Sequence, residues 1–289
     1  MMSMKRILLT GSNGFVGSYF LKKYNSSYTI DTFSFLNNNF INLDLSNVDV
    51  VIHCSALVHQ MKGASWEKYQ EVNVNQTLQL AKKAKQSGVK HFIFLSTIKV
   101  YGEESDICYY ENSSTNPIDY YSISKLKAED CLRNIETKDF QVAILRNPLI
   151  YGFGVKANFM NLVSLIKKIP ILPFKNVKNK RSMVFVGNVC FILDQIISLK
   201  QKGIFLAVDD EALSTTQLIQ LIAKCLNKKV LLVNIIFFEK LFKIIKPSFH
   251  QRLFGSLIID NTYTMKKLNL KKNKYSTEYG IKSIFQSNN

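Results

Sequence analysis

Strand-like apolar runs and helix-like spacings alternate along the first half of the chain. Arg6-Ile7-Leu8-Leu9-Thr10 is a short apolar run ending at a glycine, and Phe15, Val16, Tyr19, Phe20 and Tyr24 follow at helical spacing. A second strand is predicted at Tyr28–Phe33. Val48–Cys54 (VDVVIHC) is continuous enough to be buried on both faces of a parallel sheet. A helix is predicted over Tyr69–Ser87, closed by Gly88, then a strand at His91–Ser96, a helix at Ser122–Asn134 and a strand at Gln141–Leu145. Strands and helices alternating through short connections predict an α/β fold: a doubly wound parallel sheet with right-handed crossovers.

From Pro148 onward the pattern loosens, and four of the five prolines fall there. The predicted organisation is a first domain over residues 1–150, to which 181–207 return, and a smaller α/β lobe made of 151–180 and 208–289. The run Val230–Phe238 reads as a strand followed by a core-facing helix. Its alternative is a helix on a membrane surface, with Lys240, Lys243 and Lys246 towards the head groups. Asn37-Asn38-Asn39 reads as a loop.

Composition narrows the function. With 289 residues and 47% hydrophobic positions the chain is too apolar for disorder. The net charge of +17 suggests a nucleic-acid partner, but of 38 basic residues only Arg6, Arg133, Arg146, Arg181 and Arg252 are arginines. The lysines are dispersed and no zinc pattern exists, so no nucleic-acid role is expected. Cys54, Cys108, Cys131, Cys190 and Cys225 form no CxxC pair, which fits a reducing compartment without a disulfide framework. His53, His59, His91 and His250 have no metal-ligand spacing. The first strand begins too early for a signal peptide and no apolar run reaches membrane-span length, so a cytoplasmic protein is expected.

The candidate chemistry starts at Thr10-Gly11-Ser12-Asn13-Gly14-Phe15-Val16-Gly17, between a strand and a helix. One glycine permits a tight turn, one lets the backbone approach a pyrophosphate, and one lets helix and strand pack closely. The helix N-terminus then offers free N–H groups to phosphate. An acidic residue for a ribose 2′-hydroxyl is expected about 20 residues on. Asp31 stands at that distance; if it lies inside the second strand, Phe33 and Ser34 occupy the tip instead. Further along, Tyr121-Ser122-Ile123-Ser124-Lys125 places a phenol and an ammonium at i and i+4 on one helix face. A phenol titrates near about 10, and a cation beside it favours the phenolate, a shift of two to three units corresponding to about 3–4 kcal/mol. Tyr121 could then exchange a proton with a substrate hydroxyl.

These segments, with Leu95-Ser96-Thr97-Ile98-Lys99-Val100-Tyr101-Gly102, Asp44-Leu45, His53-Cys54-Ser55-Ala56, Val72-Asn73-Val74 and Leu145-Arg146-Asn147-Pro148 before Tyr151-Gly152-Phe153-Gly154, resemble the extended short-chain dehydrogenase/reductase superfamily in the correct order. Gly154–Phe159 and Asn179–Asn188 resemble its nucleotide-sugar epimerase/dehydratase branch, with Gly187 where that branch usually has Asp. The resemblance implies a Rossmann-type domain and a catalytic Thr97, Tyr121 and Lys125. It implies an NAD cofactor, with NADP the alternative, held by Gly11, Asn13, Gly14, Phe15, Val16, Gly17, Asp44, Leu45, Ser55, Ala56, Asn73, Lys125 and Pro148. It implies a nucleotide-sugar substrate, a UDP-hexose or UDP-N-acetylhexosamine for an epimerase and a UDP- or dTDP-(6-deoxy)sugar for a reductase, contacted by Ser96, Tyr121, Asn147, Asn158 and Arg181, and a homodimer.

Two reactions and one non-catalytic role remain open under this resemblance, and a dehydratase is disfavoured. Dehydratases of the branch carry Asp-Glu after the catalytic Thr, whereas Thr97 is followed by Ile98 and Lys99. A 4-epimerase is the first reading. A 4-keto reductase or sugar dehydrogenase is the second. A non-catalytic dinucleotide-binding regulator is the third, weakened by the presence of both Tyr121 and Lys125.

Overall fold

The computed structural model describes residues 4–36, 40–58, 63–103, 105, 107–155, 158–235 and 237–286, with the backbone alone for Asn158 and Ser248. The Asn37–Asn39 run, His59 and the Lys156-Ala157 pair lie outside the described residues.

In chain order, β1 (Arg6–Thr10), α1 (Phe15–Tyr24), β2 (Thr29–Phe33) and β3 (Val50–His53) are followed by α2 (Trp66–Tyr69) and α3 (Gln76–Gln86), joined by a π-helical turn at Gln70–Asn75. Then come β4 (His91–Thr97), β5 (Cys108–Tyr109), α4 (Tyr120–Ile135), β6 (Gln141–Asn147) and β7 (Leu149–Tyr151). The remainder is α5 (Asn158–Lys168), β8 (Ile171–Leu172), β9 (Met183–Phe185), α6 (Val186–Ser198), β10 (Gly203–Leu206), α7 (Thr215–Cys225), β11 (Leu231–Leu232), α8 (Phe238–Ile245), α9 (Pro247–Phe254), β12 (Ile258–Ile259), α10 (Thr262–Lys267) and α11 (Thr277–Ser283).

Six strands form one sheet in the order β10-β6-β4-β3-β1-β2, every pair parallel. The doubly wound Rossmann-type sheet expected from the apolar runs is therefore present. Strands this apolar need cover on both faces, and two clusters supply it. One packs Ile7, Leu9, Ile52 and Ile93 against α1 and α6; the other packs Leu8, Val51, Phe92 and Phe94 against α3 and α4. The alternation of Ile7 and Leu9 with Leu8 is the period-two pattern of a strand buried on both sides. The strand order reverses at β1, between β2 and β3. In such sheets a crevice opens there, outside the carboxyl ends of the strands.

Register carries the site residues to that edge. Thr10 lies beside both Phe33 and His53, and Thr97 lies beside Asn147. Asp31 sits opposite Leu8, two residues short of the β2 tip, and its carboxylate pairs with Arg6 at 2.6 Å. Phe33 and Ser34 therefore occupy the tip, and the acidic residue spaced for a ribose hydroxyl is a mid-strand ion-pair partner.

The expectation of a core-facing helix after Val230 is corrected in part. Phe238 and Phe242 of α8 pack on Phe254, and Phe238 also on Phe174, but Leu241, Ile244 and Ile245 are exposed. No helix among the described residues is long and apolar enough to cross a membrane.

Candidate active site

The first turn is built by its glycines. Gly11 has φ +70°, and a Cβ there would stand 2.7 Å from the Ser55 nitrogen. Its carbonyl accepts the Gly14 N–H at 2.9 Å. A Cβ on Gly17 would come within 2.2 Å of that same Gly11 oxygen, so α1 can pack on the turn only if position 17 has no side chain. Gly14 caps α1 with no side-chain acceptor, and the first turn has no acidic residue. The N–H groups and positive end of the helix are thus left for an anion. Gly17→Ala is expected to force backbone apart and abolish retention of a dinucleotide through gel filtration. The absorbance ratio at 260 and 280 nm of the purified protein checks it.

Buried hydroxyls and one imidazole tie this turn to its neighbours. The Ser55 N–H donates to Thr10 Oγ1 at 3.3 Å, and Thr10 Oγ1 lies 2.7 Å from His53 Nδ1. His53 Nε2 lies 2.9 Å from Thr77 Oγ1, which donates to the Asn73 carbonyl. Because the Thr77 proton is so engaged, His53 must donate from Nε2 and accept from Thr10 at Nδ1. Asn73, carried on the π-helical turn, bonds both backbone groups of Leu57 and donates to Ser124 Oγ of α4. Asn73 thereby joins the loop after β3 to the helix that carries the tyrosine.

Burial holds His53 neutral, lowering its pKa to about 3, with Lys125 adding repulsion. Burial likewise takes His91 to about 4, aided by Lys5 and opposed by the Gln201 backbone. Below the ordinary histidine value of about 6.5 the unfolded chain binds protons that the fold refuses, so stability is full above that pH and falls on acidification. The expected loss between pH 7 and pH 5 is of order 1–2 kcal/mol per histidine. Urea midpoints at the two pH values measure it, and His91→Gln should narrow the difference.

The second wall of the cleft comes from β4, β6 and α4. Asp119 caps α4 reciprocally: it accepts the Ser122 N–H at 2.7 Å while Ser122 Oγ accepts the Asp119 N–H at 3.2 Å. This start directs Tyr121, Lys125 and Glu129 along one face. The Thr97 hydroxyl, at the end of β4, accepts the Lys99 N–H at 3.2 Å. Gly11, Gly14, Phe15, Val16 and Gly17, with Ser55 and Ala56, line one cleft of about 460 Å³ together with Ser96, Thr97, Tyr121, Lys125, Asn147 and Pro148. Asn147 Nδ2 donates to the Ser96 and Leu145 carbonyls, and its buried Oδ1 has no hydrogen-bond partner among the described residues. The glycine cradle, the uncapped helix end and this orphaned acceptor fit a phosphate-bearing ligand with polar hydrogens.

The electrostatics correct one expectation. The Tyr121 phenol is not drawn down by Lys125: burial, then Asp119 and Tyr69, push its pKa up. Burial lowers Lys125 to about 7 against the pull of Glu129 and Cys54, and its Nζ lies 3.7 Å over the Phe94 ring. Both charges lose hydration in a cleft that offers no compensating partner of sufficient strength.

Other expected site residues are differently engaged. Ser96 lines the cleft, and its Oγ donates to Glu129 at 2.5 Å, in a buried ion pair. Leu45 is packed in the core, and Asp44 is exposed, accepting from Ser46 within its own turn. Asn13 is exposed on the glycine turn. Arg181 does not line the cleft; its guanidinium donates to the Gln251 and Gly255 carbonyls at the end of α9. The Asn158 side chain lies outside the described residues. Sequence reasoning missed Cys54 in the cleft wall and Glu129 beneath it. Glu129 was visible as the next member of the four-residue period Tyr121, Lys125.

Residues 7–206 match the NAD dependent epimerase/dehydratase family. A UDP-glucose 4-epimerase of Vibrio cholerae is 35% identical over 297 residues, covering 92% of this chain and 90% of that one. An N-acetyl-alpha-D-glucosaminyl-diphospho-ditrans,octacis-undecaprenol 4-epimerase of Escherichia coli O157:H7 is 26% identical over 247 residues, covering 78% and 73%. Among solved structures, a UDP-glucuronic acid 4-epimerase from Bacillus cereus in complex with NAD superposes with a TM-score of 0.76 over 97% of each chain at 19% identity, a likeness of fold.

Proposed function

The chain belongs to the NAD dependent epimerase/dehydratase family, and on that premise we propose that it is a nucleotide-sugar 4-epimerase using NAD, with Thr97, Tyr121 and Lys125 at the reacting carbon. One observation carries the reading: the glycine turn and these three side chains line a single cleft. When bound, the oxidised nicotinamide supplies a hydride acceptor and a positive charge. Tyr121 takes the proton of the sugar 4-hydroxyl and later returns one to the same oxygen, so one acid–base group serves both directions. Thr97 donates a hydrogen bond to that oxygen. Lys125, i+4 from Tyr121, favours the phenolate once it is charged. The glycine turn and the open end of α1 hold the pyrophosphate.

Elimination of water across C5–C6 needs a further acid and base. Among the described residues no carboxylate lines the cleft. Ile98 is buried, and the Lys99 ammonium is engaged by Glu103 and, at 2.8 Å, by Asp119. This supports the epimerase reading over a dehydratase. Support for NAD over NADP comes from the relatives, because the Phe33-Ser34 tip carries neither an acid for a ribose hydroxyl nor a cation for a phosphate.

The test uses purified protein with UDP-glucose and UDP-N-acetylglucosamine, product stereochemistry being read by NMR. The expected result is NAD that survives gel filtration, 4-epimer formation and no net change in reduced cofactor. Stoichiometric consumption of NADPH with a 4-keto sugar nucleotide would instead make the chain a reductase.

A further inference from the structure

The outer face of α8 is apolar and exposed. At 3.6 residues per turn, Phe237, Leu241, Ile244 and Ile245 continue the arc begun by Phe238 and Phe242. The two inner rings rest on Phe174 and Phe254, whereas the outer four residues are 71%, 57%, 79% and 64% exposed. The chain leading in adds exposed Leu231 and Ile235, and Ile171, the register partner of Leu231, is also exposed. A contiguous apolar face of this kind on a water-exposed helix marks a docking surface.

Charge decides the occupant. Residues 228–259 carry Lys228, Lys229, Lys240, Lys243, Lys246 and Arg252 against Glu239 alone. Lys240 stands exposed on the flank of the apolar arc, Lys243 is exposed further round the helix, and Lys246 closes it. Two copies of this segment, each within a chain of +17, would repel one another. An anionic lipid surface satisfies both features at once. The acyl boundary takes the apolar side chains, and flexible lysine stems carry their ammonium groups to the phosphates.

We propose that α8 docks this protein on an anionic membrane, lying in the head-group layer with Phe237, Leu241, Ile244 and Ile245 inserted and Lys240 and Lys243 at the lipid phosphates. The helix is too short to span, so attachment is peripheral and reversible by salt. Docking is independent of which sugar nucleotide the cleft accepts.

The full chain, centrifuged with sucrose-loaded vesicles, tests this. The expected result is sedimentation with vesicles of phosphatidylglycerol and phosphatidylcholine in equal parts, release by high salt, and little sedimentation with phosphatidylcholine alone. Leu241→Ser with Ile244→Ser, and separately Lys240→Gln with Lys243→Gln, should each weaken partitioning about tenfold or more while epimerisation of soluble substrate is unchanged. All four positions are exposed, so retained activity certifies the fold of each variant. The proposal is overturned if the wild-type chain ignores the anionic vesicles, or if both variants bind as the parent does. It is also overturned if light scattering without lipid finds a dimer that Leu241→Ser with Ile244→Ser disperses, which would give the face to a second copy.

Discussion

Tyr121→Phe should reduce turnover by at least about a hundredfold, the scale of a lost general acid–base group, with substrate KM, bound NAD and melting temperature close to those of the parent. The geometry makes this a clean substitution. The Tyr121 ring lines the cleft, but its hydroxyl makes no hydrogen bond to another described residue, so phenylalanine removes a proton carrier and no structural contact. Because no hydrogen-bond partner is left unpaired, the melting temperature should change little. The pH profile adds a second readout. Burial pushes the phenol up and brings Lys125 down to about 7, so in the empty cleft the phenolate–ammonium pair is scarce at neutral pH. The once-deprotonated Tyr121–Lys125 pair, of which the phenolate–ammonium form is one state, forms as pH passes about 7, so turnover of the parent should rise up to that pH and then level off, and the residual turnover of Tyr121→Phe should lose that rise. Full turnover in the variant would refute the catalytic assignment of Tyr121.

The elements that were legible in advance are those whose meaning is local. The glycine turn could be read because a tight turn, a close approach and a packing contact each forbid a Cβ, and the three positions come three residues apart. Tyr121 and Lys125 could be read because helical geometry alone puts i and i+4 on one face. Asp31 shows where local reading stops. Its spacing from the glycines matched a ribose-binding acid, but strand register, set by pairing with β1, places it two residues below the tip beside Arg6. Arg181 shows a second limit. A motif gave it a phosphate to hold, yet its guanidinium also donates to the Gln251 and Gly255 carbonyls, seventy and seventy-four positions later, partners that no local window contains. On α8 the apolar residues were plain, but which of them face inward depends on Phe174 and Phe254.

The largest stability effect is expected one layer beneath the cleft. Arg146 of β6 and Glu129 of α4 are buried, 1% and 0% exposed, and meet through several bonds: Nη2 to Oε2 at 2.6 Å, and Nε to the two carboxylate oxygens at 3.1 and 3.2 Å. Ser96 donates a further bond to Glu129, and the guanidinium lies 4.7 Å over the Tyr101 ring. Such a pair gains little over an apolar replacement, because both ions were taken from water; removing one partner, however, leaves the other charge stranded. Glu129→Gln is therefore expected to cost about 3–5 kcal/mol and lower the melting temperature by about 10 °C, read by calorimetry. Glu129→Leu with Arg146→Met should recover most of that loss, since no uncompensated ion remains. Activity should not recover in step. Glu129 also supports the charged form of Lys125, one helical turn away, so its loss should drive Lys125 further towards the neutral amine and leave the refolded double variant slow. If stability and turnover were restored together, Glu129 would be a packing residue alone; if neither returned, the cost would lie in the Ser96 and Tyr101 contacts and not in the stranded charge.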